Sequence, residues 1–166
     1  MSDDHRASVV DPGREGWSIH TDEGFIEHVG PIWERRESGE RRYGFVAEPK
    51  HANLLGVVQG GMLMTFADRA MGLRAWEAAE GTPCVTVQFE MQFLSAGRIG
   101  EFIELRPEVV RRTASLVFLR GILFAKSRSV AAASGIWKRV PRLPRRPPTA
   151  PQADVLRDLD ESRSNR

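Results

Sequence analysis

Between Val85 and Phe93, the apolar residues Val85, Val87, Phe89, Met91 and Phe93 alternate with Thr86, Gln88, Glu90 and Gln92. This period of two predicts an antiparallel strand with one buried face. Upstream, from Met62 to Leu73, apolar or small residues fall on every side and Asp68 and Arg69 carry the only charges. That stretch predicts a helix starting at Gly61 and buried on most of its faces. Ile32–Arg36 and Arg42–Glu48, joined by a turn at Ser38-Gly39, predict two strands before it. Phe102–Val110, Ser115–Lys126 and Val130–Trp137 predict three strands after Phe93. Strands, one apolar helix, then a meander is an α+β order, because helices and strands do not alternate. No internal repeat is visible.

The ends of the chain read differently. Residues 1–18 are polar and mixed in charge, and are expected to be a disordered leader. Residues 141–166 hold five of the ten prolines, no glycine and few apolar residues, so a disordered tail is expected there, with room for a short helix from Ala153 to Leu159. The folded domain is expected over 19–140.

Composition narrows the class without naming a function. The 166 residues, 41% of them hydrophobic, suffice for one real core. No apolar run approaches a membrane span, and no signal peptide is apparent. A cytoplasmic protein is therefore expected. A formal net charge of +2 gives no argument for nucleic acid, although the arginines raise the pI to about 9.1. The lone Cys84 excludes an internal disulfide. With four histidines scattered along the chain, neither a metal site nor a cofactor is expected.

Asp68 needs a reason to sit in an apolar helix, since desolvation disfavours the charged carboxylate. Arg69 does not supply it, because adjacent helical positions point about 100° apart. Asp68 is therefore either capped by groups from elsewhere or kept for chemistry. Just ahead of it, Gly60 and Gly61 have no side chain to block close approach. The first N–H groups of a helix are unsatisfied and carry its positive dipole end, which suits a carbonyl oxygen becoming an oxyanion. A plain tight turn would use the same glycines.

His51, Asn53, Gly56, Gln59, Gly60, Gly61 and Asp68 stand at the spacing H-x-N-x-x-G-x-x-Q-G-G followed by an acid seven residues on. With Cys84–Glu101 downstream, the chain resembles the hotdog-fold acyl-CoA thioesterases of the phenylacetyl-CoA, or PaaI-like, type over about residues 28–140. Gln59 departs from the resembling motif, which carries His in many members; a carboxamide still donates and accepts hydrogen bonds. The resemblance implies a curved antiparallel sheet wrapped around one long helix, and hydrolysis of acyl-CoA to acid and free CoA. It implies Asp68 as general base, or as a nucleophile forming a mixed anhydride, and the Gly60 N–H as oxyanion donor. Asn53 and Gln59 would hold the thioester or the attacking water, Thr86 would assist Asp68, and Gly61 and Arg98 would contact substrate. His51 is expected to fix its loop rather than to act in catalysis. Arg98, Arg111, Arg112, Lys126 and Arg128 are candidates for the CoA phosphates, and Met62, Phe66, Trp76 and Phe93 for the acyl pocket.

Distance adds a statement about assembly. From Gly60 to Asp68 is eight residues, about 12 Å along a helix, too far for both to touch one carbonyl. If they work together, they come from different subunits. A homodimer is the expected minimum, and the resembling family often pairs dimers into tetramers. Two other readings stay open: a non-catalytic acyl-CoA-binding protein, and a hydratase or dehydratase, which would want a histidine that the central helix and everything after it lack.

Overall fold

The computed structural model describes residues 11–140; the expected tail and most of the expected leader lie outside them. In chain order the elements are β1 (Ser18–His20), α1 (Phe25–Val29), β2 (Ile32–Glu37), β3 (Glu40–Val46), α2 (Gly60–Ala78), β4 (Cys84–Phe93), β5 (Phe102–Leu105), β6 (Glu108–Arg112), β7 (Leu116–Ala125) and β8 (Arg128–Arg139). Short 3-10 turns at Pro12–Glu15 and Pro49–His51 complete the list. The strands form one antiparallel sheet in the order β1-β2-β3-β5-β7-β8-β4, with β6 also on β7. This sheet curls around α2, the α+β arrangement that the resemblance implies.

The core lies between the inner face of the sheet and α2. Phe66, Ala67, Ala70, Met71 and Ala75 of the helix are sealed against Tyr43, Phe45, Ile103, Leu105, Val117, Leu123 and Trp137. Alanine at three of the five helix positions lets the backbone sit close to the strands, and burial of this apolar area is the main source of stability.

Three expectations change. Residues 11–18, placed in the leader, are folded: Asp11 caps the Pro12–Glu15 turn, and Trp17 is buried edge-on to Phe102 with Arg35 stacked over it. A single large aromatic, with a sheet face to cover, outweighs the polarity of its neighbours. The elements β1 and α1 were not foreseen either. Next, the strand expected over Phe102–Val110 is two strands, because Pro107 cannot donate to the ladder and interrupts it between Leu105 and Glu108.

The third change concerns β4. Its register against β8 jumps between Thr86 and Gln88, so Val87 is the extra residue of a β-bulge. Thr86 pairs with Trp137 and Phe89 with Gly135, residues two apart on the inner face of β8. Cys84 and Thr86 therefore share the helix-facing side with Phe89, Met91 and Phe93, whereas Val85 points outward. The unbroken alternation in the sequence predicts the opposite side for Thr86.

The helix α2 is buried on most of its faces, as expected, and leaves one side open. Gly61 and Met64 are exposed, and Thr65 and Asp68 are half-buried. Spaced three and four apart, they form one stripe along the helix. It lies beside β4, which among the described residues ends the sheet with an unpaired edge.

Candidate active site

The loop that enters α2 is held by two polar side chains working inward. His51 is buried, accepts the Glu48 N–H on Nδ1 (3.0 Å) and donates from Nε2 to the Val29 carbonyl (2.8 Å). Both ring nitrogens are thus committed, which is the loop-fixing role expected of it. Burial, reinforced by Lys50, pulls its pKa below the ordinary imidazole value and outweighs the Val29 bond, which pushes the other way. Asn53 turns its Oδ1 onto two backbone donors, Leu55 N–H (2.9 Å) and Val57 N–H (3.3 Å). The turn closes with Gly56 at φ 74°, a left-handed conformation that glycine adopts freely. Asn53 thus builds the turn, and only its amide NH2 is left to face a ligand.

Gln59 sits at the N-cap of α2, exposed and making no side-chain capping bond. Its carbonyl accepts from the Met62 and Leu63 N–H groups. Among the described residues the Gly60 and Gly61 N–H groups find no acceptor, as expected for the first turn of a helix. A side chain at Gly60 would lie 3.0 Å from the ring of Phe93, so glycine lets strand and helix start approach closely. Here a cleft of about 280 Å³ opens, lined by Val58, Gly60 and Leu63 on one wall and by Phe93 to Gly97 on the other.

Two helical turns on, Thr86 Oγ1 donates to Asp68 Oδ1 at 2.7 Å. The bulge at Val87 makes this contact: without the extra residue Thr86 would not share the inner face with Phe89. Asp68 is half-buried and Thr86 exposed, and the second carboxylate oxygen has no hydrogen-bond partner among the described residues. Arg69 turns away and pairs with Asp22. The structure thus brings Asp68 and Thr86 together, and separately gathers Asn53, Gln59, Gly60 and Gly61. It does not join the two groups within one chain.

The basic residues also divide. Arg98 is exposed, and its guanidinium meets no partner among the described residues. Arg112 is paired with Glu80. Arg128 is consumed by Glu101, Ser95 and Ala96 and so is not free for a phosphate. Of the expected acyl-pocket residues, Met62 and Phe66 are core, Trp76 is exposed with Nε1 bonded to the Cys84 carbonyl, and Phe93 lines the cleft. Ser95, Ala96 and Gly97 were not foreseen as cleft residues; the signal was their place immediately before Arg98. No helix among the described residues is long and apolar enough to cross a membrane.

Comparison with known proteins meets this geometry. The sequence profile of the thioesterase superfamily matches residues 55–132, which take in Gln59, Gly60, Gly61, Asp68, Thr86 and Arg98. PA0474 of Pseudomonas aeruginosa, a candidate esterase, is 30% identical over 116 residues, 68% of this chain and 85% of that protein. Acyl-coenzyme A thioesterase 13 of Mus musculus is 27% identical over 88 residues, 53% of this chain and 63% of that protein. Among solved structures, a mutant of the phenylacetic acid degradation protein PaaI of Thermus thermophilus superposes with a TM-score of 0.63 at 24% identity, covering 71% of this chain and all of that one. The fold is the hotdog fold. By sequence as well as by fold, the chain belongs to the thioesterase superfamily, and its chemistry is thioester hydrolysis.

Proposed function

We propose that the protein hydrolyses acyl-CoA thioesters at sites shared between two copies of the chain, Asp68 from one and the Gly60 N–H from the other. The observation that carries this reading is the separation of two incomplete half-sites on one helix. The Asp68–Thr86 pair and the free Gly60 amide are about 12 Å apart, and each opens to solvent beside the same unpaired strand.

That strand supplies a way to join them. Val85, Val87, Phe93 and Leu94 on and after β4 are 47–56% exposed, and its free edge carries unpaired backbone groups. Two β4 edges related by a two-fold axis run antiparallel, and so do the α2 helices behind them. The Gly60 end of one helix then faces the Asp68 stripe of the other. Pairing also covers apolar surface that an isolated protomer leaves wet.

In the shared site the Gly60 N–H, at the positive end of α2, polarises the thioester oxygen and stabilises the oxyanion. Asp68, oriented by the Thr86 hydroxyl, removes a proton from water as the oxygen attacks the carbonyl carbon. The tetrahedral intermediate collapses with cleavage of the C–S bond, and the proton passes to the departing thiolate. Direct attack by the carboxylate is the alternative use of the same group. Gln59 and the Asn53 NH2 hold the thioester or the water. The cleft past Gly60 leads toward Gly97 and takes the pantetheine arm, and Arg98 at its end meets CoA phosphate. A hydratase would need an imidazole in the site, and His51 has both nitrogens engaged.

Release of free thiol from a panel of aryl, short-chain and medium-chain acyl-CoA esters tests the reading. Thiol release from at least one ester is expected, with none of the hydrated product from crotonyl-CoA. CoA binding without turnover of any ester would instead favour an acyl-CoA-binding protein.

A further inference from the structure

The cleft beside Gly60 has one wall that belongs to the start of a helix and another that is an irregular turn. From Leu94 to Gly100 the chain leaves the sheet, and it touches the opposite wall through the Val58 N–H to Gly97 carbonyl bond (2.8 Å) and the Val57–Arg98 bridge. One side chain ties several residues of this wall together. Arg128, at the start of β8, donates from Nη1 to Ser95 Oγ (2.8 Å) and to the Ala96 carbonyl (2.6 Å). Its Nη2 donates to both oxygens of Glu101, at 2.8 and 2.6 Å. Glu101 Oε2 in turn accepts the Arg98 N–H (2.8 Å), and Ser95 Oγ donates to the Ser129 carbonyl (2.7 Å).

We infer that Arg128 is a positioning residue for the thioester substrate, holding the Ser95–Arg98 turn so that the cleft wall and Arg98 meet the CoA moiety in one geometry. This rests on the acyl-CoA reading above. The planar guanidinium is what the arrangement requires. Two nitrogens of one planar group serve a hydroxyl, a carbonyl and a carboxylate, which the point charge of lysine does not reproduce. The pair is half-buried, so these charge-assisted bonds are shielded from salt more than surface pairs are. Glu101 also neutralises Arg128, which leaves Arg98 as the positive group presented outward. The influence then runs from Arg128 through the turn to the Gly97 carbonyl and the Val58 N–H across the cleft.

The test compares wild type, Arg128→Lys, Arg128→Ala and Glu101→Gln in three measurements: steady-state kinetics on an ester the wild type hydrolyses, the Kd for CoA alone by calorimetry, and amide hydrogen exchange. For Arg128→Ala, KM and the Kd for CoA should rise on the order of tenfold while kcat stays within about threefold, with Arg128→Lys in between. Exchange at the Val58 and Arg98 amides should quicken while β7 amides keep their protection. Unchanged Kd and KM, or a loss confined to kcat, would overturn the inference. Should Arg128→Ala fail to fold, Glu101→Gln, which preserves shape and removes charge, carries the same test. A wild type that binds CoA without hydrolysing any ester would sink the hydrolase reading alone, since the Kd and exchange measurements still decide the role of Arg128.

Discussion

The two ends of the exposed stripe on α2 are built to different degrees of completion. Around Gly60, side chains of the protomer tie a framework together: His51 and Asn53 each make two hydrogen bonds in the entry loop, and Arg128 makes four in the facing turn. Around Asp68, one bond from Thr86 is the whole of the network among the described residues, beside exposed Met64 and the edge of β4. A half-exposed carboxylate with one partner contributes little to folding, whereas a tied loop is part of the folded framework. Changes at the Gly60 end should therefore disturb local order, and changes at the Asp68 end should remove chemistry while leaving the fold intact.

The largest effect tests that contrast at its chemical end. Asp68→Asn keeps the volume and a hydrogen-bond acceptor for Thr86 but removes the base, so kcat should fall by about 10²–10⁴-fold. Melting temperature and oligomeric size should match wild type. Near-normal turnover by Asp68→Asn would place the chemistry elsewhere.

A second experiment asks whether the two ends serve one carbonyl from different subunits. Asn53→Ala removes the turn behind Gln59 and Gly60, and Asp68→Ala removes the base; each chain alone should be inactive. A mixed dimer has one site with both defects and one with neither. With random reassortment, about half the dimers are mixed and half their sites intact, so refolding the two together should return about a quarter of wild-type activity. Activity no greater than that of the two variants summed, with size and fold normal, would mean that one and the same chain supplies both Asn53 and Asp68 to a site.

How much of this could be read from the sequence depends on what each signal was made of. The helix and its acid were legible because α2 combines a long apolar run with one charge, and the glycine pair marked its start. Thr86 beside Asp68 came from the resemblance. The alternation of β4 points the wrong way, since a bulge is fixed by the partner strand's register and leaves no mark in the bulged sequence. The break at Pro107 is legible in the sequence, because a proline cannot donate to the ladder. Trp17 gave a weaker sign, one aromatic between Gly16 and Ser18, whose burial depends on the sheet face it covers. The Arg128 cluster joins residues about thirty positions apart, so no local pattern shows it.

The smallest expected effect belongs to the finished end. Because burial holds His51 neutral and lowers its pKa in the fold, the unfolded chain binds the extra proton first as pH falls. The stability His51 contributes is fully present above the unfolded imidazole pKa of about 6.5, and declines as pH drops below it toward the lower folded value. One group can change stability by at most about 1.4 kcal/mol per pH unit, a few degrees of melting temperature for a chain of this size. Wild type should thus lose a few degrees between pH 7 and pH 5.5 at fixed protein concentration. His51→Gln offers the loop a neutral donor and acceptor that do not titrate, so its melting temperature should start lower and fall less over the same interval. Because carboxylates and the remaining histidines are common to both proteins, the difference in slope reports His51 itself. Equal slopes would mean that the ring takes up its proton as readily in the fold as in the unfolded chain, contrary to a histidine sealed between Glu48 and Val29.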